Sequence, residues 1–115
     1  MDNDELARQW AIGLTGDLAA MAPLTSPEMR VWHSTDGEWL DAAKAAQRMA
    51  EASASSTPVV GAFEDVRTIA TSTGFVVQAV IDRGGVRTHI AQVLTVEDGV
   101  VVSVEEYIAP EETVG

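Results

Sequence analysis

Cysteine is absent from the 115 residues. That excludes a disulfide scaffold, a zinc–thiolate site, an iron–sulfur cluster and thiol catalysis. Positive charge is scarce as well: Lys and Arg total 7 against 18 Asp and Glu, a formal net charge of −11. A field of that sign repels phosphate backbones and anionic lipid, so neither nucleic acid nor a membrane is an expected partner. No apolar run approaches the ~18 residues of a membrane span. The N-terminus, Met1-Asp2-Asn3-Asp4-Glu5, is acidic where a secretory leader is basic, and a cytoplasmic location is expected. Glycine-rich phosphate loops and GxSxG are missing. The two histidines, His33 and His89, stand far apart with no carboxylate at ligand spacing, so no metal site is expected. The acids Glu97, Asp98, Glu105, Glu106, Glu111 and Glu112 lack EF-hand spacing and read as a solubilising stretch.

What is present suits a globular chain, with 46% apolar and 22% charged residues. The length matches one domain on the usual scale of ~100–200 residues. A single domain over 1–115 is expected, with 1–3 and 110–115 frayed.

The first half has helical spacing and the second half strand spacing. Asp2 and Glu5 stand at capping-box distance, and Leu6, Trp10 and Leu14 follow at helical intervals. Asp4 and Arg8 are expected to pair at i,i+4. Thr15 can cap a short turn, Asp17 to Met21, that Pro23 stops. Met29–His33 reads as a short strand. A third helix is expected from Thr35, with Glu38 as its capping-box partner and Trp39, Ala42 or Ala43, Ala46, Met49 and Ala50 as its apolar stripe. From Val59 the composition turns to Val, Thr and Ile, which favour strands. Strands are expected at about 60–71, 75–82, 86–96 and 100–108, joined by turns at Ser72-Thr73-Gly74, Arg83-Gly84-Gly85 and Glu97-Asp98-Gly99. Connections this short make an antiparallel meander, and helices followed by a meander are an α+β layout.

Strand alternation places Val102, Val104, Glu106 and Ile108 on one face of the last strand, and Val101, Ser103, Glu105 and Tyr107 on the other. On the strand before it, Ile90, Gln92, Leu94 and Val96 share a face opposite His89, Ala91, Val93 and Thr95. Neither face is cleanly polar. That pattern suits a sheet covered by helices on one side and by a second copy of the chain on the other, a homodimer through the outer face.

The succession helix, "TGDLAAM", strand "MRVWHSTDG", helix and a meander ending "HIAQVLTVEDGVVVSVEEYIAP" resembles the nuclear transport factor 2-like superfamily, and within it the SnoaL-like and ketosteroid-isomerase-like proteins. The resemblance spans nearly the whole chain. It implies a cone-shaped, curved antiparallel sheet wrapped around N-terminal helices, the cystatin-like α+β barrel, with a pocket at the open end. It also implies a range of roles, from isomerases, epoxide hydrolases and polyketide cyclases to non-catalytic modules. His33 matches the position of the isomerases' carboxylate base, and Gln92 that of their protonated oxyanion-hole acid. The position of their tyrosine donor falls on Gln9 or Trp10. The Asp–Arg–Asp set of limonene-epoxide-type hydrolases is not visible.

Three side chains are candidates for chemistry. His33 carries an imidazole, which takes or gives a proton near neutrality; the structural alternative is a histidine capping the turn Ser34-Thr35-Asp36. Glu106 falls among Val104 and Ile108 on an apolar face, where a carboxylate is costly unless paired. Its alternatives are a bulge that turns it outward in place of Glu105, or a scaffold ion pair with Arg67 or Arg87. Gln92, between Ile90 and Leu94, can donate to a developing oxyanion or be a satisfied core amide. Trp10, Trp39, Met49, Leu94, Val104 and Ile108 can wall a pocket for a small hydrophobic molecule, or be ordinary core. The reading that follows is cofactor-free acid/base chemistry (isomerisation, cyclisation or hydrolysis). Its rival is a non-catalytic ligand-binding or dimerisation module on the same scaffold.

Overall fold

Asp2 opens the first helix, α1 (Asn3–Thr15), by accepting the Glu5 backbone N–H at 2.8 Å, the capping contact expected from the sequence. The computed structural model describes residues 2–16, 18–41, 43, 44, 47, 63–83 and 85–112. Helix α1 buries Leu6, Ala7, Trp10 and Leu14 along one stripe. Its outer face carries an ion pair between Arg8 and Glu5 at 2.6 Å, so Arg8 pairs at i,i+3 and not with Asp4. A 3-10 segment, Leu18–Leu24, follows and contains Pro23.

Six strands make one curved mixed sheet: β1 (Thr25–His33), β2 (Trp39–Asp41), β3 (Glu64–Ala70), β4 (Gly74–Arg83), β5 (Val86–Glu97) and β6 (Val100–Pro110), in the order β2-β1-β6-β5-β4-β3. The hairpins of β3 to β6 form the expected meander. The sheet is not wholly antiparallel, because β1 lies alongside β6 in parallel. A parallel neighbour cannot be joined by a tight hairpin, and β1 and β6 are the first and last strands along the chain.

The helix expected from Thr35 starts later. A turn closes after β1 when the Gly37 N–H donates to the His33 carbonyl at 2.8 Å, and the chain returns as edge strand β2. Pairing with β1 gives partners to one side of the β2 backbone and buries Leu40, a gain that outweighs the capping pattern at Thr35 and Glu38. The cap is Asp41, whose Oδ1 accepts the Lys44 N–H at 2.8 Å, and Ala43, Lys44 and Gln47 are helical. Met49 lies outside the described residues, as do the other stripe positions Ala42, Ala46 and Ala50 and the first residues assigned to the strand at 60. No helix among the described residues is long and apolar enough to cross a membrane.

The core forms where α1 crosses the inner face of the sheet. Leu6, Ala7, Trp10, Leu14 and Leu24 pack against Phe75, Val77, Leu94, Val101 and Val104. Each large side chain fully buried there contributes about 1.5–3 kcal/mol. Val101 belongs to this core, although simple alternation sends it to the opposite face from Val104. The β5–β6 register explains the change: Thr95 pairs with Ser103 but Val96 with Val101, so Val102 is an extra, bulged residue. The adjoining hairpin turns on Asp98 and Gly99, both at positive φ (52° and 77°), as a two-residue type I′ loop requires.

Gly74 and Gly85 give a contrast in what a methyl group costs. A Cβ on Gly74 would overlap the Leu94 backbone carbonyl, which is fixed in the sheet, whereas one on Gly85 (φ 85°) meets nothing within 4 Å. Gly74→Ala is expected to destabilise at or beyond the top of the usual ~0.5–3 kcal/mol range. Gly85→Ala should cost only the ~1–2 kcal/mol of a left-handed residue. Urea denaturation of the two variants measures the difference, and equal losses would contradict the close approach at Gly74.

Candidate active site on the inner face

The sheet register brings the three candidate side chains into one row. Val77 on β4 pairs with Gln92 on β5, Gln92 with Glu106 on β6, and Glu106 with His33 on β1. The row lies next to the core row of Phe75, Leu94, Val104 and Val31, on the same inner face. Glu106 therefore faces inward and Glu105 outward. The bulge at Val102 precedes both acids, so their alternation is undisturbed.

Hydrogen bonds run along this row from the dry core toward solvent. Trp10, 4% exposed, donates its indole N–H to Gln92 Oε1 at 2.9 Å. Gln92, 6% exposed, donates from Nε2 to Glu106 Oε2 at 2.7 Å. The other carboxylate oxygen, Oε1, lies 3.6 Å from His33 Nε2, in ion-pair range but beyond a hydrogen bond. The side chains of His33 and Glu106 are 30% and 16% exposed, so the imidazole is the accessible end.

An indole can only donate, so it fixes which end of the Gln92 amide faces the core. The NH2 group then has to face Glu106. Both ends of the amide engage protein groups, as in a satisfied core amide. The backbone holds the other end of the row. The Ser34 N–H donates to the Glu106 carbonyl at 2.9 Å, and Ser34 Oγ accepts from the Ile108 N–H at 3.0 Å, joining the end of β1 to β6. Ser34 was not a sequence candidate; nothing in the string "HSTD" marks its hydroxyl as the clasp.

The expected pocket wall divides. Trp10, Leu94 and Val104 are core, with the Trp10 ring edge-on to Phe75 at 6.1 Å. Ile108 is half-buried and pairs with Ile90 one row beyond the site. Trp39 is not on a helix and not on the inner face. It is 45% exposed on β2, opposite Trp32, with the Arg30 guanidinium 5.1 Å from its ring centroid. Arg87 does not reach Glu106 either; it pairs with Asp65 at 3.4 Å and Glu111 at 3.2 Å on the other side of the sheet.

That outer face carries Trp39, Ile69, Val93 and Tyr107, four of the five large hydrophobic residues most exposed among those described, with Ile12 of α1 the fifth. Trp32 packs on Tyr107 at 5.2 Å between ring centroids. The Tyr107 hydroxyl donates to Glu105 Oε2 at 3.2 Å. This bond raises the phenol's pKa above its ordinary value, with smaller contributions from desolvation and from the Glu105 charge.

Two measurements test these arrangements. Trp10→Phe removes the indole donor and orphans a buried amide oxygen; a loss of about 1–3 kcal/mol is expected in urea denaturation beyond the packing change, and no loss would break the row. Tyr107 is the chain's one tyrosine, so tyrosinate absorbance reports it alone. Its ionisation is expected above the normal tyrosine range and should fall toward it in Glu105→Gln. The stabilisation from the Tyr107–Glu105 bond is complete below the ordinary phenol pKa and is lost as pH rises through the raised one.

No protein-family model and no curated protein matches this sequence. Solved structures do match it. An NTF2-like protein of unknown function from Burkholderia xenovorans superposes with a TM-score of 0.74 at 16% identity, over 98% of this chain and 90% of its own. A candidate ketosteroid isomerase from Kribbella flavida gives 0.70 at 23% identity, over 96% and 82%. A candidate polyketide cyclase from Sinorhizobium meliloti gives 0.64 at 17% identity, over 89% and 93%. Identities this low establish architecture and leave the reaction open. With its helix seated on one face of a curled six-stranded sheet, the chain has the nuclear transport factor 2-like fold, the α+β cone shared by ketosteroid isomerase-like and SnoaL-like proteins.

Proposed function

We propose that the chain is a small-molecule enzyme performing cofactor-free acid/base chemistry of the isomerase, cyclase or hydrolase type on a hydrophobic organic ligand. The observation that carries this reading is the continuous row Trp10–Gln92–Glu106–His33, buried at one end and open to solvent at the imidazole. His33 is the group that moves the proton. Glu106, 3.6 Å away, is placed to balance the charge the ring acquires and to orient it. Gln92 is best read as a positioning residue, since its amide is committed to Trp10 and Glu106. In that respect the reading differs from a role in holding a substrate oxygen. The ligand would approach the imidazole from the exposed end of the row, over the apolar Ile90–Ile108 pair.

One observation favours a second reading, a non-catalytic binding module: both ends of the Gln92 amide are occupied within the protein, as a purely structural amide would have them. Kinetics separates the two. A panel of lactones, epoxides, enones and polyketide-like aromatics is screened first by thermal shift and then for turnover. His33→Gln is expected to abolish turnover while leaving the thermal melt within a few degrees. Unchanged turnover in His33→Gln would overturn the catalytic assignment, and ligand shifts without turnover in the wild type would favour the binding module.

A further inference from the structure

A hollow of about 670 Å³ lies against the other side of the sheet, lined mainly by outward-facing side chains of β3 to β6. It is separate from the His33 row, because the sheet stands between them. Its shape follows from residue size. Across the outer face, Arg67 pairs with Gln78, Gln78 with Ala91, and Ala91 with Tyr107; the neighbouring row is Val80, His89 and Ala109. Ala91 lies at the middle of this patch and Ala109 at its β6 margin, and these two small side chains leave a depression beside their longer neighbours. The volume is within the range of ~300–1,000 Å³ typical of small-molecule sites.

The rim carries charge of both signs: Asp65 stands among its cations, and Glu111 and Glu105 reach it through Arg87 and Tyr107. Arg67, Arg87 and His89 all line the hollow. Arg87 is balanced by Asp65 and Glu111, and His89 Nε2 lies 3.0 Å from the same Glu111. Arg67 has no carboxylate partner among the described residues. With Glu105, hydrogen-bonded to Tyr107, counted beside Asp65 and Glu111, the carboxylates around the hollow outnumber its two guanidiniums, and Arg67 is what an acidic ligand would meet. Among the described residues, Arg67 is the rim guanidinium without an ion pair, and its exposure lets it turn toward an incoming acid. A planar guanidinium of this kind binds a carboxylate through two parallel N–H donors. The Tyr107 ring and the alanine methyls offer the flat apolar surface that the rest of such a ligand needs.

We propose that this hollow binds a small monocarboxylate with a flat apolar body, its carboxylate on Arg67 and its body over Ala91 and Ala109 beside Tyr107. The site does not depend on the chemistry assigned to His33.

Benzoate is the probe, followed by calorimetry and by backbone amide shifts of the full chain. Saturable binding at millimolar concentrations is expected, with the shifts centred on Arg67, Ala91 and Ala109. Arg67→Gln on exposed β3 should weaken binding by about tenfold or more, the scale of one charge-assisted contact. Benzamide, of the same shape but uncharged, should lose a similar factor. Ala91→Leu fills the floor and should abolish binding. If that variant fails to fold, Arg67→Gln and benzamide decide alone. Equal affinity for benzoate and benzamide, or an Arg67→Gln variant that binds as the wild type does, overturns the proposal. So does a sedimentation experiment in which a second copy of the chain covers this face and benzoate neither binds nor shifts the equilibrium.

Discussion

Parallel pairing of β1 with β6 is the constraint from which the rest of the site follows. Without it His33 would belong to a strand with no defined relation to the meander, and Glu106 would be a carboxylate with an amide neighbour and nothing more. The pairing sets His33 opposite Glu106. The antiparallel pairing of β6 with β5 then sets Glu106 opposite Gln92. Two ladders of different sense thus bring residues 33, 92 and 106 within reach of one another. Backbone hydrogen bonding does this work, and the side chains complete it with two short contacts.

Polarity is distributed along that row with a clear gradient. At the core end every polar atom is matched: the indole has one donor, the amide oxygen accepts it, and no fully buried side-chain nitrogen or oxygen among the described residues is left without a partner. This matters because an unmatched group there would cost more than a matched one contributes. At the His33 end the contact lengthens and solvent enters. Rigid placement and chemical availability are therefore provided by opposite ends of one chain of contacts. The helix contributes only Trp10 to this arrangement, yet that residue decides how the amide is turned.

Much of this was legible in the sequence, and the parts that were not have identifiable causes. Strand alternation put Gln92 with Leu94 on β5 and Glu106 with Ile108 on β6, and the resemblance turned both pairs inward, although the bulge at Val102 broke the same rule for Val101. The hairpin at Asp98-Gly99 was equally plain, since only small or flexible residues suit two successive positive φ angles. Trp39 was misplaced because the stretch from Thr35 satisfies helix-start rules, and pairing with β1, a contact made across the turn, overrides them. The parallel sense of β1 was invisible for a similar reason: strand direction in a sheet depends on the path of the intervening chain and leaves no local pattern. The Trp10–Gln92 bond joins residues 82 positions apart, beyond any spacing rule.

The bulged Val102 gives the last strand an adjustable phase. On the hairpin side of this residue Val101 points into the core; on the far side Val104 and Glu106 do so, although an unbroken alternation would not allow all three. One supernumerary residue thus uncouples the tight turn from the two acids, letting each meet its own geometric demand. Parity in β6 is held at a single joint. Losing that joint while the turn stays seated would exchange the inward acid for the outward one, and a carboxylate now hydrogen-bonded to a tyrosine would take the place of the one beside the imidazole.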